Sequence, residues 1–105
     1  MPQYFITYLG GDKPSSSEEG KQHMAKYRNW LSSLGNSALS PANPLKNTST
    51  VNSDGSVTSG GKTSMSGFTI IEADSMESAL SIAKSCPFLE IGGSLEVSEL
   101  MQMQS

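Results

Sequence analysis

At 105 residues the chain is long enough for one domain with a single core, near the lower end of comfortable size. Its formal charge of −3, without a basic run, argues against nucleic acid as a partner, because phosphate binding needs clustered Lys and Arg. No apolar run approaches the roughly 20 residues of a membrane span, so no membrane partner is expected.

The start, Met1-Pro2-Gln3-Tyr4, lacks the basic and apolar regions of a signal peptide. The single cysteine, Cys86, has no partner for an internal disulfide, which fits a reducing, cytoplasmic setting. One His and one Cys without ligand spacing give no metal site, and no cofactor is expected.

Tyr4 to Leu9 alternates aromatic and β-branched residues and predicts a strand that is apolar on both faces. A loop follows over Gly10–Pro14. Ser15 with Glu18, or Ser16 with Glu19, then fits a capping box at the start of a helix. Met24, Tyr27, Leu31 and Leu34 form its expected buried stripe, flanked by Trp30, and Gly35 ends it.

Leu39-Ser40-Pro41-Ala42-Asn43-Pro44 reads as an irregular edge strand or loop, because two prolines break it. Thr48–Val51 and Ser56–Thr58 flank Asn52-Ser53-Asp54-Gly55, which predicts a β-hairpin inserted over about 46–63. Gly60-Gly61-Lys62-Thr63 has the composition of a phosphate loop, but it lacks the earlier glycine and leads into a strand, so a flexible return is expected.

Ser64 to Pro87 carries the clearest signal: a strand, a corner and a helix. Phe68, Ile70 and Glu72 point one way, and Thr69, Ile71 and Ala73 the other. Gly67 permits a bulge or a close backbone approach at the strand's start. Asp74 or Ser75 caps the helix, with Asp74 and Glu77 at capping-box spacing. Met76, Ala79, Leu80, Ala83 and Cys86 share a face beside Ile82, and Pro87 ends the helix. This placement makes Cys86 a buried, inert thiol. After a Phe88–Ile91 connector and a Gly92-Gly93 turn, Ser94–Leu100 alternates as a last strand. The tail Met101–Ser105 is expected to fray.

Strand, helix, strand with an extra hairpin, strand, helix, strand is the split βαβ order. It predicts an α+β, ferredoxin-like fold, with an antiparallel sheet and both helices on one face. Right-handed crossovers place Tyr4–Leu9 and Phe68–Asp74 side by side at the centre. Both strands are apolar on both faces, so the open sheet face would expose a wide apolar patch. A homodimer packed sheet to sheet covers it.

The residues His23 to Leu31, Leu39 to Pro44, Ser66 to Ala73, Ala79 to Pro87 and Gly93 to Val97 together resemble the YCII-related family, which includes the DGPF proteins. The resemblance runs over nearly the whole chain, read as one domain over 1–105. It implies a dimeric α/β barrel of ferredoxin-like protomers, in a family that is widespread in bacteria and mostly without assigned function. Some relatives are thought to use a His and Asp pair as acid and base. The Asp-Gly-Pro-Phe motif is absent here, where Ser59-Gly60-Gly61-Lys62 stands instead. His23 lies close to the family's helix-borne histidine, and no acidic residue clearly matches the partner. Asp12 and Asp54 would serve only if a loop brought one near.

His23 is the candidate catalytic residue, being the one side chain that ordinarily titrates near neutrality. The plainer reading is a half-exposed helix histidine. Tyr8 and Tyr27 are candidate ligand-binding walls, or with Trp30 core and dimer packing. Arg28 is a surface charge or an anchor for a carboxylate. Ser66 is a turn residue or part of a pocket, with no base to activate it. The favoured reading is a small dimeric ligand-binding module with a pocket between the first helix and the sheet. A small acid/base enzyme of lyase or isomerase type using His23, and a purely structural dimer, are the alternatives.

Overall fold

In the computed structural model, residues 2–11, 15–63 and 65–101 are described. Among them the chain forms β1 (Gln3–Gly10), α1 (Ser17–Leu34), β2 (Ala38–Pro44), β3 (Ser49–Val51), β4 (Val57–Ser59), β5 (Met65–Glu72), α2 (Met76–Lys84) and β6 (Gly93–Glu99). A short 3-10 turn over Gly35–Ser37 leads into β2, and a 3-10 helix over Pro87–Ile91 leads into β6. Four strands make one antiparallel sheet in the order β2-β5-β1-β6, and β3 and β4 make a separate hairpin. This is the ferredoxin-like α+β arrangement. Asp12, and residues 102–105 of the predicted tail 101–105, lie outside the described residues.

The centre of the sheet is the β1–β5 pair, in register from Gln3 opposite Glu72 to Tyr8 opposite Gly67. Tyr4, Ile6 and Tyr8 from β1 and Thr69, Ile71 and Ala73 after or within β5 are buried on the helix side. Burying a side chain the size of Ile6 or Ile71, each fully out of solvent, contributes roughly 1.5–3 kcal/mol. On the opposite face Phe5, Leu9, Phe68 and Ile70 are only half-buried. Phe5 and Phe68 meet there edge to face, with centroids 4.8 Å apart.

The register slips at the end of the pair: Leu9 faces Met65, and Ser66 is the extra residue of a β-bulge. Gly67 beside it also permits a close approach. A Cβ there would stand 3.0 Å from the Asn43 carbonyl oxygen and 3.3 Å from Tyr8 Cδ2.

Both helices start at serines. Ser16 Oγ accepts from Glu19 N–H at 3.1 Å, and Ser75 Oγ accepts from Ser78 N–H at 3.2 Å. The second cap is therefore Ser75 and not the Asp74 to Glu77 box, because Ser75 has the extended backbone (φ −158°, ψ 168°) that a cap requires. Gly35, at φ +55°, closes α1.

Two helical faces differ from the stripes read in the sequence. In α1, Trp30 is the buried residue and Met24 is 45% exposed. The Trp30 indole N–H donates to Ser85 Oγ (2.9 Å) and Ile82 C=O (3.2 Å) at the end of α2. Tyr27, Leu31 and Leu34 of the expected stripe do pack against the core around that ring, and His23 lies one turn before Tyr27. In α2, Ala79 and Ala83 are buried, while Met76 and Leu80 are exposed. Two alanines four apart let the helix lie close on the sheet, which directs the bulky neighbours outward. Cys86 is buried but not helical: α2 ends at Lys84, and Pro87 holds Cys86 extended at φ −72°, ψ 127°.

The β3–β4 hairpin pairs Ser49–Val51 with Val57–Ser59, as the turn residues predict. Gly55 takes φ +90°, and Asp54 accepts from the Ser56 N–H at 2.9 Å. Val51 and Val57 face each other across it at 72% and 67% exposure. The arm leaves the chain spread out. Its radius of gyration is 15.3 Å, against about 13 Å for a compact domain of this length.

Candidate functional site

Five elements meet around one hollow. Tyr8 comes from near the end of β1, and His23, Met24 and Tyr27 come from the middle of α1. Ser66 and Gly67 lie at the bulge of β5, Asn43 and Pro44 at the end of β2, and Phe88 on the 3-10 helix. Together they line a cavity of about 200 Å³ with mostly apolar walls.

Local chemistry explains the convergence. The bulge breaks strand alternation, so Ser66, which strict period two would send to the open sheet face, borders the cavity. The ladder of β2 with β5 slips between Ala38 and Ser40 and again between Ser40 and Asn43, and Asn43 ties the irregular stretch. Its amide donates to Ser40 C=O (3.2 Å), Ser40 Oγ (2.9 Å) and Phe68 C=O (3.2 Å). Glycine at 67 leaves the floor open where a side chain would meet Tyr8.

The polar centre is a group of three hydroxyls. Tyr8 and Tyr27 share a hydrogen bond at 2.7 Å, Tyr8 is bonded closely to Thr69 Oγ1, and Tyr27 stands 3.5 Å from Thr69 Oγ1. Burial pushes the Tyr8 hydroxyl far above the usual phenol range, while its bond to Thr69 pulls the other way. Tyr8 is therefore a neutral hydrogen-bonding group at any ordinary pH. Tyr27 is half-buried and carries the chain of hydroxyls to the cavity wall. His23 lies one turn earlier, its ring nearly parallel to that of Tyr27, with centroids 6.5 Å apart at 20°.

Of the residues singled out in the sequence, Tyr8, His23, Tyr27 and Ser66 border this cavity. Arg28 does not; it lines a shallow hollow with Leu31, Ser32, Gly35 and Ala38, on another side of α1. Trp30 packs toward α2. Among the described residues no Asp, Glu, Lys or Arg lines the cavity. Asp54 is held at the hairpin tip, where it accepts from the Ser56 N–H and, at 2.7 Å, from Ser56 Oγ. The one ion pair among the described residues, Lys26 to Glu90 at 3.6 Å, is on the surface.

Met24, Asn43, Pro44, Gly67 and Phe88 are lining residues that the sequence did not single out for the site. The two prolines around Asn43 and the glycine heading β5 were the available signals, since both mark places where a ladder is interrupted.

Cys86 is also out of reach of the cavity. Burial raises its thiol to about 11, so it is not a nucleophile at neutral pH. Among the described residues no three His, Cys, Asp or Glu side chains converge as a metal site would require, and no helix is long and apolar enough to cross a membrane.

The same arrangement of strands and helices is found in a solved enzyme. The chain is similar to 5-chloro-2-hydroxyhydroquinone dehydrochlorinase from Burkholderia phenoliruptrix AC1100, whose structure is a complex with 2,5-dihydroxybenzoquinone. The TM-score is 0.59 over 95% of each chain, at 22% identity, a level that speaks for the fold alone. Compared with the curated proteins, the chain has no sequence match. The family model described as the YCII-related domain matches residues 4–104, and the chain belongs to that family.

Proposed function

We propose that this chain is a small-molecule binding module whose site is the cavity between α1 and the ends of β1, β2 and β5. The observation that carries the reading is convergence. Tyr8, His23, Tyr27 and Ser66, which are scattered over the sequence, border one apolar hollow that also holds a hydroxyl cluster. Apolar walls with a few convergent polar groups are the usual make-up of a ligand site.

The working unit is a homodimer through the open sheet face. Half-buried Phe5, Leu9, Phe68 and Ile70 lie on that face. The chain exposes 7326 Å² of surface, where a monomer of 11.1 kDa ordinarily exposes about 5,700 Å². A standard interface hides roughly 800 Å² of each partner, so the excess is large enough to include such a face beside the protruding β3–β4 arm.

A thermal-shift screen with small phenols, keto acids and carboxylates tests the binding reading, run on wild type and on His23→Ala. A ligand of the native state raises the melting temperature by mass action. Hits that weaken in His23→Ala, at unchanged baseline stability, support the cavity as the site. A flat screen on both proteins removes it.

A second reading, an acid/base enzyme of lyase or isomerase type, draws on His23 lying beside Tyr27 and on the similar solved structure being an enzyme. Its weak point is the missing carboxylate: among the described residues no acidic side chain lines the cavity to orient His23. Turnover of any screening hit that disappears in His23→Gln would bring this reading forward.

A further inference from the structure

Charge and size narrow what the cavity would accept. Among the described residues the lining has hydroxyl, amide and imidazole groups but no Lys or Arg; of the two cations that flank Tyr27 in sequence, Lys26 pairs with Glu90 and Arg28 lines a different hollow. A carboxylate placed against Tyr8, Met24, Pro44 and Phe88 would give up water without meeting a guanidinium or ammonium. His23 is the one described lining side chain that can carry a positive charge.

Volume sets the second limit. A cavity of about 150 Å³ is known to hold a benzene ring, and ligand pockets for larger molecules run to roughly 300–1,000 Å³. At about 200 Å³ this one holds a single substituted ring.

The third observation is the Tyr27 hydroxyl. A phenol oxygen has one donor and two acceptor positions. One firm partner, Tyr8 at 2.7 Å, and a distant Thr69 at 3.5 Å leave Tyr27 with hydrogen-bonding capacity at the cavity wall. Its partner Tyr8 is anchored in the core through Thr69, so the position of the Tyr27 oxygen is held before a ligand arrives.

Resting on the proposal that this cavity is the ligand site, we infer that it selects an uncharged, single-ring compound bearing a hydroxyl or carbonyl that bonds to Tyr27. It discriminates against a carboxylate of the same size. Selection comes from the lack of a guanidinium or ammonium among the described lining residues and from the held Tyr27 hydroxyl, not from the shape of the walls alone.

The test is an amide NMR titration of the full chain with phenol and with benzoate, on wild type, Tyr27→Phe and Met24→Lys. Phenol is expected to move the amides of Tyr27, Gly67 and Phe88, with a Kd at least tenfold below that of benzoate. Tyr27→Phe should weaken phenol about tenfold. Met24 is exposed on a helix, so lysine there is tolerated and puts an ammonium at the cavity rim. Met24→Lys should bring benzoate to within a fewfold of phenol.

Benzoate binding as tightly as phenol in the wild type overturns the selectivity and leaves the cavity standing as a site. So does a Met24→Lys variant that keeps phenol but gains nothing for benzoate. Perturbations confined to another surface, or none with either compound, overturn the inference and the binding reading together.

Discussion

Phe88 lies flush against Gly93: a Cβ at residue 93 would overlap the Phe88 ring at Cε2. The same ring packs on Tyr8, with centroids 5.2 Å apart, and forms one wall of the cavity. The turn before β6 and the candidate site therefore share a side chain. Gly93→Ala is expected to displace Phe88, lower stability by about 1–3 kcal/mol as overpacking does, and weaken ligands of the cavity. Urea unfolding and a ligand titration on the variant check both halves. Unchanged stability would mean that Phe88 swings aside freely.

The link between the helices rests on Trp30. Trp30→Phe keeps most of the apolar contact but loses the indole N–H that bonds to Ser85 and Ile82. A cost of about 1–2 kcal/mol is expected, and Trp30→Ala should cost about 3–5 kcal/mol. Chemical denaturation with a constant m-value separates these from a change in the unfolded state.

Tyr8→Phe tests the hydroxyl cluster. It removes one hydrogen-bond partner from Tyr27 and one from Thr69, so it should destabilise by about 1 kcal/mol. If the variant were as stable as wild type, water would be replacing the lost hydroxyl. Loss of ligand binding in Tyr8→Phe without a change at baseline would instead mark Tyr8 as the residue that aims Tyr27.

Alkaline stability follows from Cys86. Its thiol is raised to about 11 in the fold, above the ordinary value of 9.0, by burial. The folded state therefore holds its proton longer than the unfolded chain. Below pH 9 this costs nothing. As pH rises from about 9 to 11 the unfolded chain alone ionises, and stability falls by up to about 2–3 kcal/mol. Tyr8, raised in the same direction, adds to the fall. Denaturation midpoints at pH 8 and pH 10.5, on wild type and Cys86→Ala, check this. The slope should be shallower in the variant. Iodoacetamide should label Cys86 slowly in buffer and quickly in urea.

The proposed dimer has its own measurement. Phe68→Glu puts a charge at the centre of the open face, beside Phe5. Wild type is expected to sediment as a dimer and the variant as a folded monomer. A wild type that sediments as a monomer at high micromolar concentration would leave the apolar face without its proposed cover.

Strand pairing was largely legible in the sequence because period two in Tyr4–Leu9 and Phe68–Ala73 leaves little freedom in what faces the core. The helical faces were less so. Met24 and Trp30 are both apolar and six residues apart, and only the Trp30 hydrogen bonds to the end of α2 decide which one turns inward. In α2 the pattern counted Leu80 and Met76 by hydropathy, whereas contact with the sheet favoured the small Ala79 and Ala83. For the site, Tyr8 and Tyr27 could be suspected as amphipathic aromatics. Asn43 and Phe88 could not, because their places depend on an irregular edge strand and a 3-10 helix whose geometry no periodicity encodes.

Beneath the β3–β4 hairpin the Leu45 N–H donates to the Ser66 carbonyl at 2.9 Å, so the chain is already closed where the arm departs. The stretch between Leu45 and the start of β5 at Met65 is thus a detour between two points that touch. Doubling the length of such a detour costs only about 0.6 kcal/mol. Here a lineage can lengthen, trim or exchange sequence without redrawing the sheet. A fluorophore or an affinity epitope grafted at Asp54-Gly55 would report on the protein while leaving the cavity and its hydroxyls untouched.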